Sequence, residues 1–150
     1  MQLNQKECGF VKELMEQEKL CIEKYQRSAE AAKDGQLRQL FSDLAAKEQA
    51  HLDSLNQLEQ GNPPAPSGAA SPLPTFKAVY TAADTPEKQS DCYLCTDALS
   101  GEKHVSALYD TSVFEFRDES ARKLLGHIQG EEQTHGKMIY DYMAANAMYG

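Results

Sequence analysis

Apolar residues along this chain recur at steps of three and four, the spacing of one face of a helix, rather than at steps of two. Between residues 36 and 59, Leu37, Leu40, Phe41, Leu44, Leu55 and Leu58 fall on a single stripe. Ala121, Leu124, Leu125, Ile128, Ile139 and Tyr142 repeat that stripe near the end of the chain. Residues 3–33 carry Phe10, Val11, Leu14 and Tyr25 in a stretch rich in Glu, Lys, Gln, Leu and Ala and free of proline, a helix composition. A further stripe, Ala98, Val105, Tyr109 and Phe116, predicts a helix from about 86 to about 116. Its start is marked by Thr85-Pro86-Glu87, a capping residue followed by a first-turn proline. The pattern therefore predicts four helices, over about 3–33, 36–59, 86–116 and 120–143. Asp34-Gly35 and Arg117-Asp118-Glu119-Ser120 are the breaks inside each pair. Phe76-Lys77-Ala78-Val79-Tyr80 is the one short strand candidate.

Between the pairs, Pro63, Pro64, Pro66 and Pro72 forbid a continuous helix, and the non-helical connection extends over about 60–85. The expected fold is all-α: a single domain over 1–150, with hairpin 1 at about 3–59 and hairpin 2 at about 86–143. A long crossover lets the second hairpin pack upside down on the first. The segment is long enough, since an extended chain covers roughly 3.3 Å per residue.

The two hairpins are copies of each other. A shift of 84 residues lays 18–51 on 102–135 without a gap. Glu18 falls on Glu102, Tyr25 on Tyr109, Ser28 on Ser112, Asp34 on Asp118 and Arg38 on Arg122. Glu48 and His51 fall on Glu132 and His135. A duplicated hairpin paired with itself about a pseudo-two-fold axis accounts for the pattern.

The acids among these matches interrupt the apolar stripes. Glu48 and His51 continue the line from Leu44 to Leu55, Glu132 and His135 that from Ile128 to Ile139, and Glu18 and Glu102 sit mid-stripe on the other two helices. Residues equidistant from a hairpin turn face each other, and both turns fall midway between the glutamate and the Glu-x-x-His pair of their hairpin. Four carboxylates and two imidazoles thus converge on one layer. A buried ionised carboxylate costs several kcal/mol unless compensated, and no Lys or Arg lies on the stripes at that level. Two divalent cations would offset the charge. One Glu from each of two helices and Glu-x-x-His from each of the others is a di-iron or di-manganese carboxylate pattern. Its mixed donors suit iron, manganese or zinc better than calcium.

The motifs Glu18, Glu48-Gln49-Ala50-His51, Glu102 and Glu132-Gln133-Thr134-His135 resemble the ferritin-like superfamily, and within it the rubrerythrin-type small bundles. Lys103-His104-Val105-Ser106-Ala107-Leu108-Tyr109 and the ending Tyr140 to Gly150 resemble the spore coat protein F type. The resemblance implies two metal ions, iron foremost, with Glu48 and Glu132 bridging. Glu18 and His51 would complete one position, Glu102 and His135 the other. Rubrerythrin-like peroxidases carry a rubredoxin-type module built on two Cys-x-x-Cys pairs. This chain has Cys92-Tyr93-Leu94-Cys95 alone and no glutamate one turn either side of Glu102. Any redox role would then need an external electron donor.

Composition narrows the remaining choices. A formal net charge of −8 and the lack of a basic stripe argue against a nucleic-acid partner. No apolar run suggests a signal peptide or a membrane span, so a cytoplasmic location with reduced cysteines is expected, or the spore coat if the coat-type resemblance holds. Expected partners are a second copy, in a dimer, and coat proteins. His104 and His127 fall off the stripes and read as solvated surface residues; Tyr25 and Tyr109 read first as core aromatics and second as hydrogen-bond partners of the ligands, and Cys92 and Cys95 as buried thiols, a metal pair or a redox pair. Three functions fit: a metal-dependent oxidoreductase that scavenges peroxide, a coat-type structural protein with a stabilising or residual metal site, and iron storage or buffering.

Overall fold

The computed structural model describes residues 1–67 and 72–149. They form α1 (Gln5–Ala31), α2 (Gly35–Glu59), α3 (Pro86–Val113) and α4 (Glu119–Ala145), with no strand among the described residues. The all-helical expectation holds. Three of the four starts are capped by a side chain: Asn4 Oδ1 accepts from the Glu7 amide at 2.8 Å, Thr85 Oγ1 from Lys88 at 3.2 Å, and Asp118 Oδ1 from Ala121 at 3.1 Å. At the end of α2, the Gly61 amide bonds to Leu58 O and the Asn62 amide to Gln57 O. Gly61 adopts φ +84°, and a Cβ there would stand 2.2 Å from the Met1 carbonyl oxygen, so only glycine fits.

α3 stops three residues before its expected end, and Phe116 turns back into the core. The reason repeats in both hairpins. Arg122 donates to Phe116 O at 2.6 Å and Phe114 O at 3.3 Å, satisfying carbonyls that a longer helix would have used. Its repeat mate Arg38 donates to Ala32 O at 3.1 Å and Lys33 O at 2.6 Å.

α1 pairs with α2 and α3 with α4, and α1 runs antiparallel to α3. Contacts fix that register along its length: Glu7 Oε1 accepts from Arg117 Nε at 2.7 Å at one end. At the other, Asp91 accepts from the Lys33 amide at 2.8 Å and the Asp34 amide at 3.0 Å. Glu7 and Asp91 are repeat mates, so each hairpin's buried acid grips the other hairpin's turn.

The crossover therefore returns along the length of the bundle. Pro63, Pro64, Pro66 and Pro72–Pro74 carry no regular structure; residues 68–71 of that segment lie outside the described residues. The strand candidate Phe76–Tyr80 is not a strand. Its polar backbone is met by side chains: Gln36 bonds both the amide and the carbonyl of Lys77 at 2.9 Å. Asn146 Oδ1 accepts from Val79 at 2.8 Å and Tyr80 at 3.1 Å.

The apolar core is split. One cluster holds Tyr25, Leu37, Phe41, Leu44, Ile139 and Tyr142 near the α1–α2 turn. The other holds Leu14, Leu55, Leu58, Phe116, Leu125 and Ile128 at the opposite end. Burying such a side chain stabilises the fold by roughly 1.5–3 kcal/mol. Between the two lies a layer that is not apolar at all.

Candidate metal centre

Glu18, Glu48, His51, Glu102, Glu132 and His135 all meet in this layer, every one of them buried. Two overlapping groups form. Glu18, Glu48, His51 and Glu132 each present a ligand atom within 4.8 Å of the others, and so do Glu48, Glu102, Glu132 and His135. Glu48 and Glu132 belong to both groups, the arrangement a bridging pair requires. The imidazoles lie nearly parallel, centroids 5.7 Å apart and planes at 15°, as the pseudo-two-fold demands.

Distances within the layer are short, yet few are hydrogen bonds. His51 Nδ1 lies 2.9 Å from Glu132 Oε1, 3.4 Å from Glu48 Oε2 and 3.7 Å from Glu18 Oε1. It nevertheless has no hydrogen-bond partner, and neither do Glu18 Oε2, Glu48 Oε2, Glu102 Oε2 or either oxygen of Glu132. On the other side, His135 Nδ1 meets Glu48 Oε1 at 2.8 Å. Buried polar atoms are nearly always paired, so six unpaired ones in one layer need an explanation.

Electrostatics follow from the crowding. Burial, with pressure from Glu48, pushes the Glu18 carboxyl up to about 9. Burial, with pressure from Glu132, does the same to Glu102, also to about 9. Burial also acts to raise Glu48, but the bond to His135 and the proximity of His51 outweigh it and leave the group below the usual carboxylate range. Glu132 is lowered likewise, against burial, by Glu102, His135 and His51. Burial disfavours both imidazolium ions, yet the surrounding carboxylates hold His51 and His135 well above the ordinary histidine value. Together these shifts favour protons on Glu18, Glu102 and the two imidazoles and negative charge on Glu48 and Glu132.

Three further residues bond to the six. The Tyr25 hydroxyl donates to Glu102 Oε1, and the Tyr109 hydroxyl to Glu18 Oε1 at 2.6 Å. These tyrosines are not merely core aromatics; the crossed hairpins bring each onto its partner hairpin's acid. Glu131, which sequence reading passed over, receives His51 Nε2 at 3.1 Å and His127 Nε2 at 3.1 Å. His127 is therefore only partly solvated, whereas His104 is exposed as expected. Only the step of one residue from Glu132 hinted at Glu131.

All four cysteines are free thiols. Cys95 is buried and Cys92 half-buried in the apolar cluster near the α1–α2 turn, away from the acid layer. Cys21 lies closer, and burial followed by the charge of Glu48 raises its thiol.

One comparison with known families concerns the second hairpin. Residues 90–150 match the Coat F domain family. The match spans Glu102, Glu132 and His135 and agrees with the coat-type resemblance of the chain's second half. No curated protein and no solved structure matches the chain. Among the described residues, no helix is long and apolar enough to cross a membrane.

Proposed function

We propose that the protein is a coat-F-type helical building block whose core is closed by two divalent metal ions. Glu18 and His51 would hold one, Glu102 and His135 the other, with Glu48 and Glu132 shared. The observation that carries the metal reading is the set of six buried, unpaired ligand atoms. The donor set of oxygen and imidazole nitrogen fits iron, manganese or zinc. The Coat F match supports the coat part and a location in the spore coat. The exposed aromatics among the described residues, Tyr93, Phe114, Tyr140 and Tyr149, all lie in the matched segment and offer contacts to other coat proteins.

A second reading, metal-dependent scavenging of peroxide, draws on the count of ligands. Four residues at each position leave an octahedral ion places open to water or an oxidant, and a redox-active pair would supply the electrons such chemistry needs. An external donor would have to restore them.

Metal analysis of native protein, a peroxide-consumption assay and fractionation of spores separate the readings. A metal-containing protein that extracts with the coat and leaves peroxide untouched supports the structural role. Steady peroxide turnover supports the second reading. Metal-free protein confined to vegetative cytosol overturns both.

A further inference from the structure

The pseudo-two-fold symmetry fails along the seam between α1 and α3. Near Glu18 the seam is filled: Leu14 is fully buried beside it, Gln17 is half-buried, and Glu18 is 0% exposed. The repeat mates of Leu14 and Gln17 are Ala98 and Gly101. The same seam near Glu102 is consequently hollow. Cys21, Tyr25, Ser28, Ala98, Gly101 and Glu102 line a recess of ≈ 20 Å³, room for about one water molecule. A Cβ on Gly101 would meet nothing within 4 Å. Glu102, at 5%, is the most exposed of the four carboxylates, and its Oε2 has no partner. Lys24 and Asp97, paired at 3.1 Å, form the rim. On the opposite seam, between α2 and α4, the His51 and His135 rings face each other and Glu131 lies against His51 Nε2.

We propose that this recess is the route by which divalent cations and water exchange with the buried layer, with Glu102 the first carboxylate they meet. A buried metal site needs a way in, and the apolar clusters above and below close both ends of the bundle. Passage requires parting of the Lys24–Asp97 pair, both members of which are half-buried at the rim and still reach solvent, where such pairs hold weakly. The inference rests on the metal reading, but the recess can be tested without it.

The test fills the recess with the residue its closed mate carries, Gly101→Gln. Glutamine is the better helix former, so α3 is not weakened. Cobalt(II) uptake by metal-free protein is followed by stopped-flow absorbance. Loading in Gly101→Gln should slow at least tenfold while final stoichiometry and affinity stay the same; Gln17→Ala, on the closed side, should load at the wild-type rate. Equal rates in all three proteins would overturn the route. In parallel, Cys21 is labelled with methylmercury and its peptide quantified by mass spectrometry. Protection of Cys21 by Gly101→Gln supports the route even if wild type takes up no cobalt, an outcome that would count against the metal reading alone. Equal labelling overturns the route.

Discussion

Tyr25, on the first hairpin, donates its hydroxyl proton to Glu102 on the second, and Tyr109 returns the same bond to Glu18. Each terminal acid thereby has one oxygen engaged and the other turned loose into the layer. Removing one hydroxyl leaves a buried carboxyl short of a donor. Tyr25→Phe should therefore cost the metal-free protein about 1–3 kcal/mol in urea unfolding. A ring that served packing alone would tolerate the change with almost no loss. Because the two tyrosines act on one coupled layer, the double variant should depart from additivity.

Glu48 and Glu132 belong to both ligand groups, whereas Glu18 and Glu102 belong to one each. Glu48→Ala or Glu132→Ala should therefore abolish binding of both ions, as read by metal analysis after dialysis. Glu18→Ala should spare one. His104, exposed on α3, provides the control, and His104→Ala should keep full metal content.

Glu131 introduces an asymmetry, because its repeat mate is the exposed Lys47. Among the described residues, His51 and not His135 has a carboxylate on its outer nitrogen, a contact that would favour the tautomer offering Nδ1 to a metal. Glu131→Ala should weaken one ion's affinity by about 10–100-fold and spare the other. Titration calorimetry would show one step become two, or an existing pair of steps move apart.

Proton linkage gives opposite pH trends with and without metal. Glu18 and Glu102 shift from 4.5 unfolded to about 9 folded, so between those values the folded chain holds more protons. Metal-free stability must then fall as pH rises across that window. His51 and His135 act in the same sense, since their raised values favour the folded state below the ordinary 6.5 and that advantage is lost as pH climbs through the folded value. Glu48 and Glu132 are lowered, so their contribution is present above 4.5 and lost as pH falls. The metal-free protein should be most stable in mild acid. A bound metal would displace protons from Glu18, Glu102, His51 and His135, so its stabilisation should grow with pH. Melting curves from pH 5 to 9, with and without manganese, would show the gap widen; a gap that narrowed would contradict the charge assignment.

Helix number, the hairpin turns and the convergence of the four glutamates and two histidines were all legible in the sequence. Stripe position gives the direction in which Glu48 or His135 points, and the 84-residue repeat gives the level at which it sits. Contacts that depend on how one hairpin slides against the other were not legible. The tyrosine bonds and the grips of Glu7 on Arg117 and Asp91 on the Lys33 amide need the α1–α3 register, which periodicity within a helix does not contain. Glu131 sits beside a stripe rather than on it, and only the approach of α4 to α2 brings it to His51. The recess escaped notice because small residues such as Ala98 and Gly101 register as weak helix signal rather than as missing volume. Phe76–Tyr80 was misleading because its strand-like composition serves a docked coil held by Gln36 and Asn146.

Anomalous diffraction from crystals grown metal-free and soaked in manganese tests the central claim most directly. Two peaks roughly 3.5–4 Å apart should appear in the layer, one against Glu18 and His51, the other against Glu102 and His135, with Glu48 and Glu132 reaching both. A layer that stays free of anomalous signal under saturating manganese, iron and zinc, its six side chains paired with one another and with water, would contradict it.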